Sequence, residues 1–136
     1  MTDRVGAGPR ILLVEDEPAN RALVRAIIAR TDRPELRGAV LHEAGSIAEA
    51  RALLAGHTVD VLLVDVRLPD GNGLDLATEL RAHPGAGPAK IVIVSASVLP
   101  AERTSALATG ADAFLAKPID SSDLLDVLQG SDPVAD

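Results

Sequence analysis

The stretch VDVLLVDV, residues 59–66, decides the fold class of this 136-residue chain. Its apolar residues run almost without interruption and are rich in valine, which is typical of a strand buried on both faces of a parallel sheet. Two more runs share this pattern, ILLV at 11–14 and KIVIVSAS at 90–97. Weaker patterns, AVLHE at 39–43 and AFLAK at 113–117, suit the edges of the same sheet. We therefore predict five parallel strands.

Helical patterns lie between and after these strands. Pro18 suits a first helical position, and Ser46 with Glu49 forms a capping box at the start of a second helix. Either Asp120 or Ser121 caps the last helix. Strands that alternate with helices predict an α/β fold, a doubly wound (βα)5 sheet with helices on both faces and right-handed crossovers.

Composition excludes several classes of protein. Phe114 is the only aromatic residue and the net charge is −7, so modules that stack bases or bind a phosphate backbone are disfavoured, and we expect no direct nucleic-acid contact. There is no cysteine and no apolar run near the length of a membrane span, so we expect a cytoplasmic protein without a membrane contact. The length predicts one domain over 10–129, with a flexible lead-in at 1–9 and a flexible tail at 130–136.

Polar residues follow four of the predicted strands. Glu15 and Asp16 follow the first strand, and Asp65, Ser95 and Lys117 stand at the ends of the third, fourth and fifth. Ligands of open parallel sheets bind outside the carboxyl ends of the strands, so these side chains should converge at one edge. Each residue alone is weak support for a site, and their joint placement is strong.

The residue types at this edge indicate a chemistry. The three carboxylates of Glu15, Asp16 and Asp65 form an oxygen-ligand site for a hard cation such as Mg2+, which offsets their mutual repulsion. An ammonium group and a hydroxyl group, from Lys117 and Ser95, suit an incoming phosphoryl group. Asp65 can serve as the nucleophile and form an aspartyl-phosphate.

Competing sites fail on spacing. A dehalogenase-like phosphatase needs a second aspartate two residues after the first, where this chain has Arg67. Residues 70–72 are of types that favour turns and are interpreted as a turn. A calcium loop starting there is excluded, because its fifth ligand position holds Leu74 and its glycine position holds Asp75. His42, His57 and His83 have no ligand-like spacing and are interpreted as ordinary residues.

These motifs together resemble one known family. The pair Glu15-Asp16, DVRLPDGNG from Asp65, Ser95-Ala96 and GADAFLAKP from Gly110 occur in the order found in the receiver domain of two-component response regulators, CheY-like proteins. The resemblance runs roughly from residue 10 to 129. It implies a flavodoxin-like fold with strand order 2-1-3-4-5.

The resemblance also implies a role for each site residue. Asp65 resembles the phospho-acceptor, Lys117 the lysine that pairs with phosphate, and Ser95 the switch hydroxyl. Glu15 and Asp16 resemble the metal-binding acids, with Asp16 the more direct ligand.

Four further features match the family's pattern beside the site. Arg67 resembles the residue whose backbone carbonyl is the third protein ligand of the metal, and Phe114 the aromatic that turns inward on activation. Gly73 resembles the glycine that shapes the loop after the third strand, and Lys117-Pro118 the family's cis peptide.

The function implied is phosphorelay signalling. The chain would accept a phosphoryl group from a histidine kinase or histidine phosphotransfer protein onto Asp65, with Mg2+. It would then present the face of the fourth helix, fifth strand and fifth helix to a downstream protein. It would not be an enzyme, apart from assisting its own phosphotransfer and autodephosphorylation. The last helix has three aspartates and no lysine or arginine, so we expect a monomer.

Three settings for this domain remain open. Met1 and a short acidic tail favour a stand-alone receiver that acts by protein contact. The alternative is a receiver excised from a hybrid histidine kinase or a multidomain response regulator. A pseudo-receiver that binds partners without phosphorylation is disfavoured by the intact set of site residues.

Overall fold

A computed structural model describes residues 8–82, 88, 90–96 and 99–129 of the chain. The predicted tail lies outside the described residues, as does the predicted lead-in apart from Gly8 and Pro9.

Five strands alternate with five α-helices. The strands are β1 (Arg10–Val14), β2 (Val40–Ala44), β3 (Val61–Asp65), β4 (Lys90–Ser95) and β5 (Ala113–Ala116). The helices are α1 (Pro18–Arg30), α2 (Ile47–Gly56), α3 (Gly73–Arg81), α4 (Pro100–Ala108) and α5 (Ser121–Leu128). The strands pair in the order 2-1-3-4-5, and every neighbouring pair is parallel. The predicted doubly wound, flavodoxin-like (βα)5 fold is confirmed.

Both faces of the sheet are buried around its three inner strands, which explains why β1, β3 and β4 are almost continuously apolar. On one face, Leu12, Leu62 and Ile91 belong to a core cluster that includes residues of α2, α3 and α4. On the other face, Leu13 and Leu63 belong to a second cluster with residues of α1 and α5. Successive strand residues point to opposite faces, so a strand covered on both sides needs apolar residues at every position.

The two weakly patterned strands lie at the edges, as predicted, but strand limits differ from the prediction. β2 begins one residue later, at Val40, and β3 is shorter than the apolar run from which it was predicted. Two short elements were not predicted. One is a 3-10 helix at Pro34–Leu36, and the other is a small antiparallel hairpin that pairs Arg67–Leu68 with Gly71–Asn72.

The predicted helix starts are confirmed, with one change in hydrogen bonding. The Ser46 hydroxyl accepts from the Glu49 N–H at 3.1 Å, but the Glu49 carboxylate accepts from the Gly45 N–H at 2.7 Å instead of from Ser46. Asp120 caps α5, accepting from the Asp123 N–H at 3.1 Å. Within the described part of the chain, no helix combines the length and the apolar character that crossing a membrane requires.

Candidate functional site

The predicted site residues lie together at the carboxyl edge of the sheet. Asp65 and Ser95 are the last residues of the adjacent strands β3 and β4, and Glu15 directly follows β1. Only these three polar side chains are buried among the described residues, with exposures of 7%, 6% and 1%. Burying polar groups costs free energy unless they are paired, so their concentration at one edge marks this edge as functional.

Lys117 is the charged partner of two of these residues. Its Nζ lies 2.8 Å from Glu15 Oε1 and 2.8 Å from Asp65 Oδ2. Its backbone N–H donates to the Ser95 carbonyl at 2.9 Å, which fixes the chain after β5 against β4. Partial burial acts to lower the pKa of Lys117, but the hydrogen bonds to Asp65 and Glu15 outweigh it and raise the pKa. The ammonium therefore stays charged at neutral pH.

Glu15 is held at several points. One carboxylate oxygen contacts Lys117, and the other accepts from the Glu17 N–H at 3.1 Å. Its backbone N–H donates to the Ala44 carbonyl at 2.8 Å, and its carbonyl accepts from Arg21 Nη1 at 2.7 Å. The next residue, Asp16, is exposed. An exposed carboxylate adjusts to a cation more easily than a fixed one, which agrees with Asp16 as the more direct ligand.

The acidic residues fit a divalent cation. Glu15, Asp16 and Asp65 each offer a carboxylate oxygen, and these oxygens lie within 4.8 Å of one another. Carboxylate oxygens are ligands that Mg2+ favours, so these three acids would hold one ion if they closed around it. With Lys117 protonated, three carboxylates and one ammonium leave two formal negative charges, which a divalent cation would neutralise.

A cavity opens beside Asp65. It has a volume of about 360 Å3, and its lining includes Arg67, Ser95, Ala96 and Lys117. The Arg67 backbone N–H donates a long hydrogen bond of 3.4 Å to Asp65 Oδ1. The cavity is large enough for a phosphoryl group, and the small side chain of Ala96 leaves space there.

Phe114 lies inward. Its exposure is 6%, and the Arg103 guanidinium carbon stands 5.3 Å from its ring centroid. The ring borders a second cavity of about 320 Å3, whose lining includes Ser95 of the site and Ser105 of α4. Ser95, Phe114 and α4 therefore line the same cavity.

Two of the other features implied by the family resemblance have clear geometry. Gly73 donates its N–H to the Val66 carbonyl at 2.8 Å, and a Cβ at this position would lie 1.9 Å from the Asp65 carbonyl oxygen. Only glycine therefore fits without a backbone shift. The peptide between Lys117 and Pro118 is cis.

The sequence did not predict the role of one loop residue near the site. Asp70, interpreted as a turn residue, accepts hydrogen bonds from the N–H groups of Ile47 and Ala48 at the start of α2. These partners are 23 and 22 residues away in sequence, and no local pattern signals such a contact.

Comparisons with known proteins agree with this geometry. The family model "Response regulator receiver domain" matches residues 11–129. The photosynthetic apparatus regulatory protein RegA of Rhodovulum sulfidophilum is 34% identical over 121 residues, which are 88% of this chain and 61% of RegA. The sensory/regulatory protein RpfC of Xanthomonas campestris pv. campestris (strain ATCC 33913) is 31% identical over 88% of this chain and 16% of RpfC. The chain thus spans less than two thirds of either relative.

Solved structures show the same similarity. The receiver domain of the sensor histidine kinase PA1611 from Pseudomonas aeruginosa PAO1 superposes with a TM-score of 0.76 at 29% identity, covering 91% of this chain and 97% of that one. That structure has a magnesium ion coordinated in its active-site cleft. A CheY-like receiver domain protein from Methanospirillum hungatei JF-1 superposes with a TM-score of 0.75 at 26% identity, covering 91% and 93%. The chain belongs to the response regulator receiver domain family of two-component signalling.

Proposed function

We propose that this receiver accepts a phosphoryl group on Asp65 from a histidine kinase or a histidine phosphotransfer protein, with Mg2+ bound by Glu15, Asp16, Asp65 and the backbone carbonyl of Arg67. The observation that carries the proposal is the Lys117 ammonium, which lies 2.8 Å from both Glu15 and Asp65. Lys117 and Asp65 also line a cavity of about 360 Å3. A buried ion pair that opens onto a polar cavity is typical of a reactive site.

The proposed step uses the chain's own groups. A carboxylate oxygen of Asp65 attacks the phosphorus, the phosphorus–nitrogen bond of the donor phosphohistidine breaks, and the imidazole leaves with the electron pair and takes up a proton. Lys117 and Ser95 donate hydrogen bonds to the phosphoryl oxygens. Mg2+, when bound, supplies positive charge against the oxygens of the acids and of the phosphoryl group. In this proposal the chain assists its own phosphotransfer from the donor and its own dephosphorylation, and it does not act as an enzyme on other molecules.

Phosphorylation would be read on the face of α4, β5 and α5. Ser95 and Phe114 border the same cavity as Ser105 of α4, so a movement of the Ser95 hydroxyl toward a phosphoryl oxygen changes the space beside α4. A local charge would in this way bias an existing equilibrium between two states of the face. We propose that the phosphotransfer takes place in the cytoplasm and that the downstream protein binds the face there.

Labelling by a small phosphodonor tests the proposal. Incubation with acetyl phosphate and Mg2+ should add the mass of one phosphoryl group, measured on the intact protein, and alkaline hydroxylamine should remove it as expected for an acyl phosphate. No mass gain under conditions that label a known receiver domain would contradict the proposal.

Mg2+ should stabilise the fold, because an ion that binds the acidic residues only in the folded protein lowers the free energy of the folded state by mass action. At a concentration ten times Kd the gain is about 1.4 kcal/mol, and we expect the midpoint of thermal unfolding to rise by about 3–6 °C. Asp16→Asn should at least halve this rise. Circular dichroism melting with and without MgCl2 measures it, with NaCl at matched ionic strength as the control. An unchanged midpoint in the wild type would rule out the metal site.

The phosphorylated form should stay monomeric at micromolar concentration. In a two-fold dimer the face of α4, β5 and α5 meets its own copy, and α5 offers no cation. The structure adds that Asp126 already pairs with Arg33 at 2.7 Å, while Asp123 remains exposed and Arg103 lies over Phe114. Light scattering with and without beryllofluoride measures the mass. A dimer that forms with beryllofluoride and is lost in Leu107→Asp, on exposed α4 surface, would contradict the prediction.

The partner of this face should therefore be a different protein. The exposed apolar side chain of Leu107 on α4 and the acids of α5 suit a surface with cationic groups around an apolar centre. Attraction of this kind weakens as salt is added.

A second setting is supported by two of the similarities. RpfC is a sensory/regulatory protein, and the PA1611 domain comes from a sensor histidine kinase, so the same phosphoryl chemistry is proposed for a receiver within a longer hybrid kinase. The full reading frame and the neighbouring genes would decide between this setting and a stand-alone receiver.

A further inference from the structure

The carboxylate of Asp70 joins the loop after β3 to the start of α2. Its Oδ1 accepts from the Ile47 N–H at 2.8 Å, and its Oδ2 accepts from the Ala48 N–H at 3.0 Å. These hydrogen bonds, the one from Ile47 foremost, lower the pKa of Asp70, so both oxygens are ionised acceptors at neutral pH. A negative charge at a helix N-terminus is also favoured by the helix dipole.

This contact does more than begin the helix. α2 has a local N-cap, because the Ser46 hydroxyl already accepts from the Glu49 N–H. Asp70 reaches the first two helical N–H groups from a different part of the chain. The contact therefore links the start of α2 to the loop after β3. A change at Asp70 should affect the position of that loop as well as the start of the helix.

Asp70 is attached to the hairpin that carries Arg67. In this hairpin Arg67 pairs with Asn72 and Leu68 with Gly71, and Asp70 occupies the turn. The turn packs closely on α2, since a Cβ at Gly71 would lie 2.9 Å from Ile47 Cδ1. The position of the hairpin is thus set at its tip by α2.

The predicted metal ligands depend unequally on this hairpin. Glu15 directly follows the buried strand β1, Asp65 is the last residue of β3, and both contact Lys117, so the sheet holds them. Arg67 lies two residues beyond β3, is exposed, and belongs to the hairpin. The direction of its carbonyl should therefore follow the hairpin.

We propose that Asp70 is a positioning residue for the Mg2+ site: it anchors the hairpin on α2 and thereby holds the Arg67 carbonyl toward the cation. The inference rests on the metal site of the proposed function. Groups that orient metal ligands from outside the coordination sphere typically change affinity by about 10- to 100-fold. Asp70 acts one step further away, through the backbone, so the lower end of this range is expected.

Mg2+ affinity measured by amide chemical-shift titration tests this, and NMR is suited because the chain has no tryptophan or tyrosine for fluorescence. Asp70→Ala should weaken Mg2+ binding about tenfold. Asp70→Asn loses the same charge but keeps one acceptor oxygen, so its loss should be smaller. Ser46→Ala is the matched control. It removes the local cap of the same helix, lowers the free energy of unfolding by about 1 kcal/mol, and should leave Mg2+ affinity unchanged within roughly twofold.

Two results would overturn the role of Asp70 while leaving the proposed metal site intact. One is an Asp70→Ala variant that binds Mg2+ as tightly as the wild type. The other is an equal loss of affinity in Asp70→Ala and Ser46→Ala, which would trace the effect to the stability of α2. A wild-type protein that shows no response to Mg2+ would overturn the metal site of the proposed function and this inference with it.

Discussion

Asp65→Asn is expected to abolish phosphoryl labelling by acetyl phosphate, with the mass gain falling to background. The amide oxygen of asparagine is a poor nucleophile, and the variant also loses one of the three acidic groups that would hold Mg2+. Both losses act on the same step, so the effect should be larger than that of any other single substitution at the site. Intact-mass spectrometry over a time course of acetyl phosphate and Mg2+ measures it.

The fold should survive this substitution. Asparagine has nearly the same size as aspartate, its side-chain oxygen can still accept from Lys117, and Lys117 keeps its contact with Glu15 at 2.8 Å. Removing one charge also relieves repulsion among the clustered acids. We expect the free energy of unfolding to change by no more than about 1 kcal/mol. A folded but unlabelled variant separates loss of chemistry from loss of structure.

Asp75→Asn is the matched control, because Asp75 is an exposed acid in the first turn of α3 and has the same charge. It should label at the wild-type rate. Equal labelling of the wild type and Asp65→Asn would mean that another residue accepts the phosphoryl group. The assignment of Asp65 would then be wrong even though the geometry around Lys117 stands.

The fold class followed from a few apolar runs because burial on two faces leaves a distinct pattern. Leu62 and Leu63 point to opposite sides of the sheet, and both are fully buried. A strand covered by helices on both sides, as β3 is, meets that condition. The gathering of Glu15, Asp65 and Lys117 could be predicted in turn, since parallel strands place their carboxyl ends at one edge. The strand order came from the family resemblance and not from this pattern.

Contacts between loops and distant helices could not be predicted. Asp70 reaches the start of α2, and Arg33 pairs with Asp126, 93 residues further along the chain. Such contacts depend on how the loops lie after the sheet and helices have packed, and neither the periodicity nor the spacing of the residues records that. The pair with Arg33 also changes the interpretation of α5, because one of its aspartates is neutralised within the chain. α5 still has no lysine or arginine that could pair with the aspartates of α5 in a second copy of the chain.

Gly73→Ala is expected to destabilise the fold strongly, although it adds only a methyl group. That carbon would lie 1.9 Å from the Asp65 carbonyl oxygen, 2.9 Å from the Asp65 carbonyl carbon and 2.9 Å from Val64 Cγ2. Two of these atoms are backbone, so a side-chain rotation cannot relieve the overlap. Either β3 or the start of α3 must move.

The size of the effect follows from what such a movement would break. Gly73 donates to the Val66 carbonyl at 2.8 Å, and β3 is central in the sheet, paired with β1 and β4. Overpacking a buried site usually costs about 1–3 kcal/mol, and a clash with backbone belongs at or above the upper limit. We expect a loss of about 3 kcal/mol, which lowers the midpoint of thermal unfolding by roughly 10–20 °C. Thermal melting followed by circular dichroism measures it.

Gly56→Ala separates this clash from the general effect of replacing glycine. Gly56 is the last residue of α2, and a Cβ there would meet no atom within 4 Å. Alanine favours the helix over glycine by about 1 kcal/mol, so this variant should be as stable as the wild type or slightly more so. If Gly73→Ala melts within a few degrees of Gly56→Ala, the close approach of α3 to the Asp65 carbonyl is looser than the structure has it. The same result would contradict the inference that the loop beside Asp65 requires glycine at position 73. A loop that accommodates a methyl group with no loss of stability is not tightly packed there.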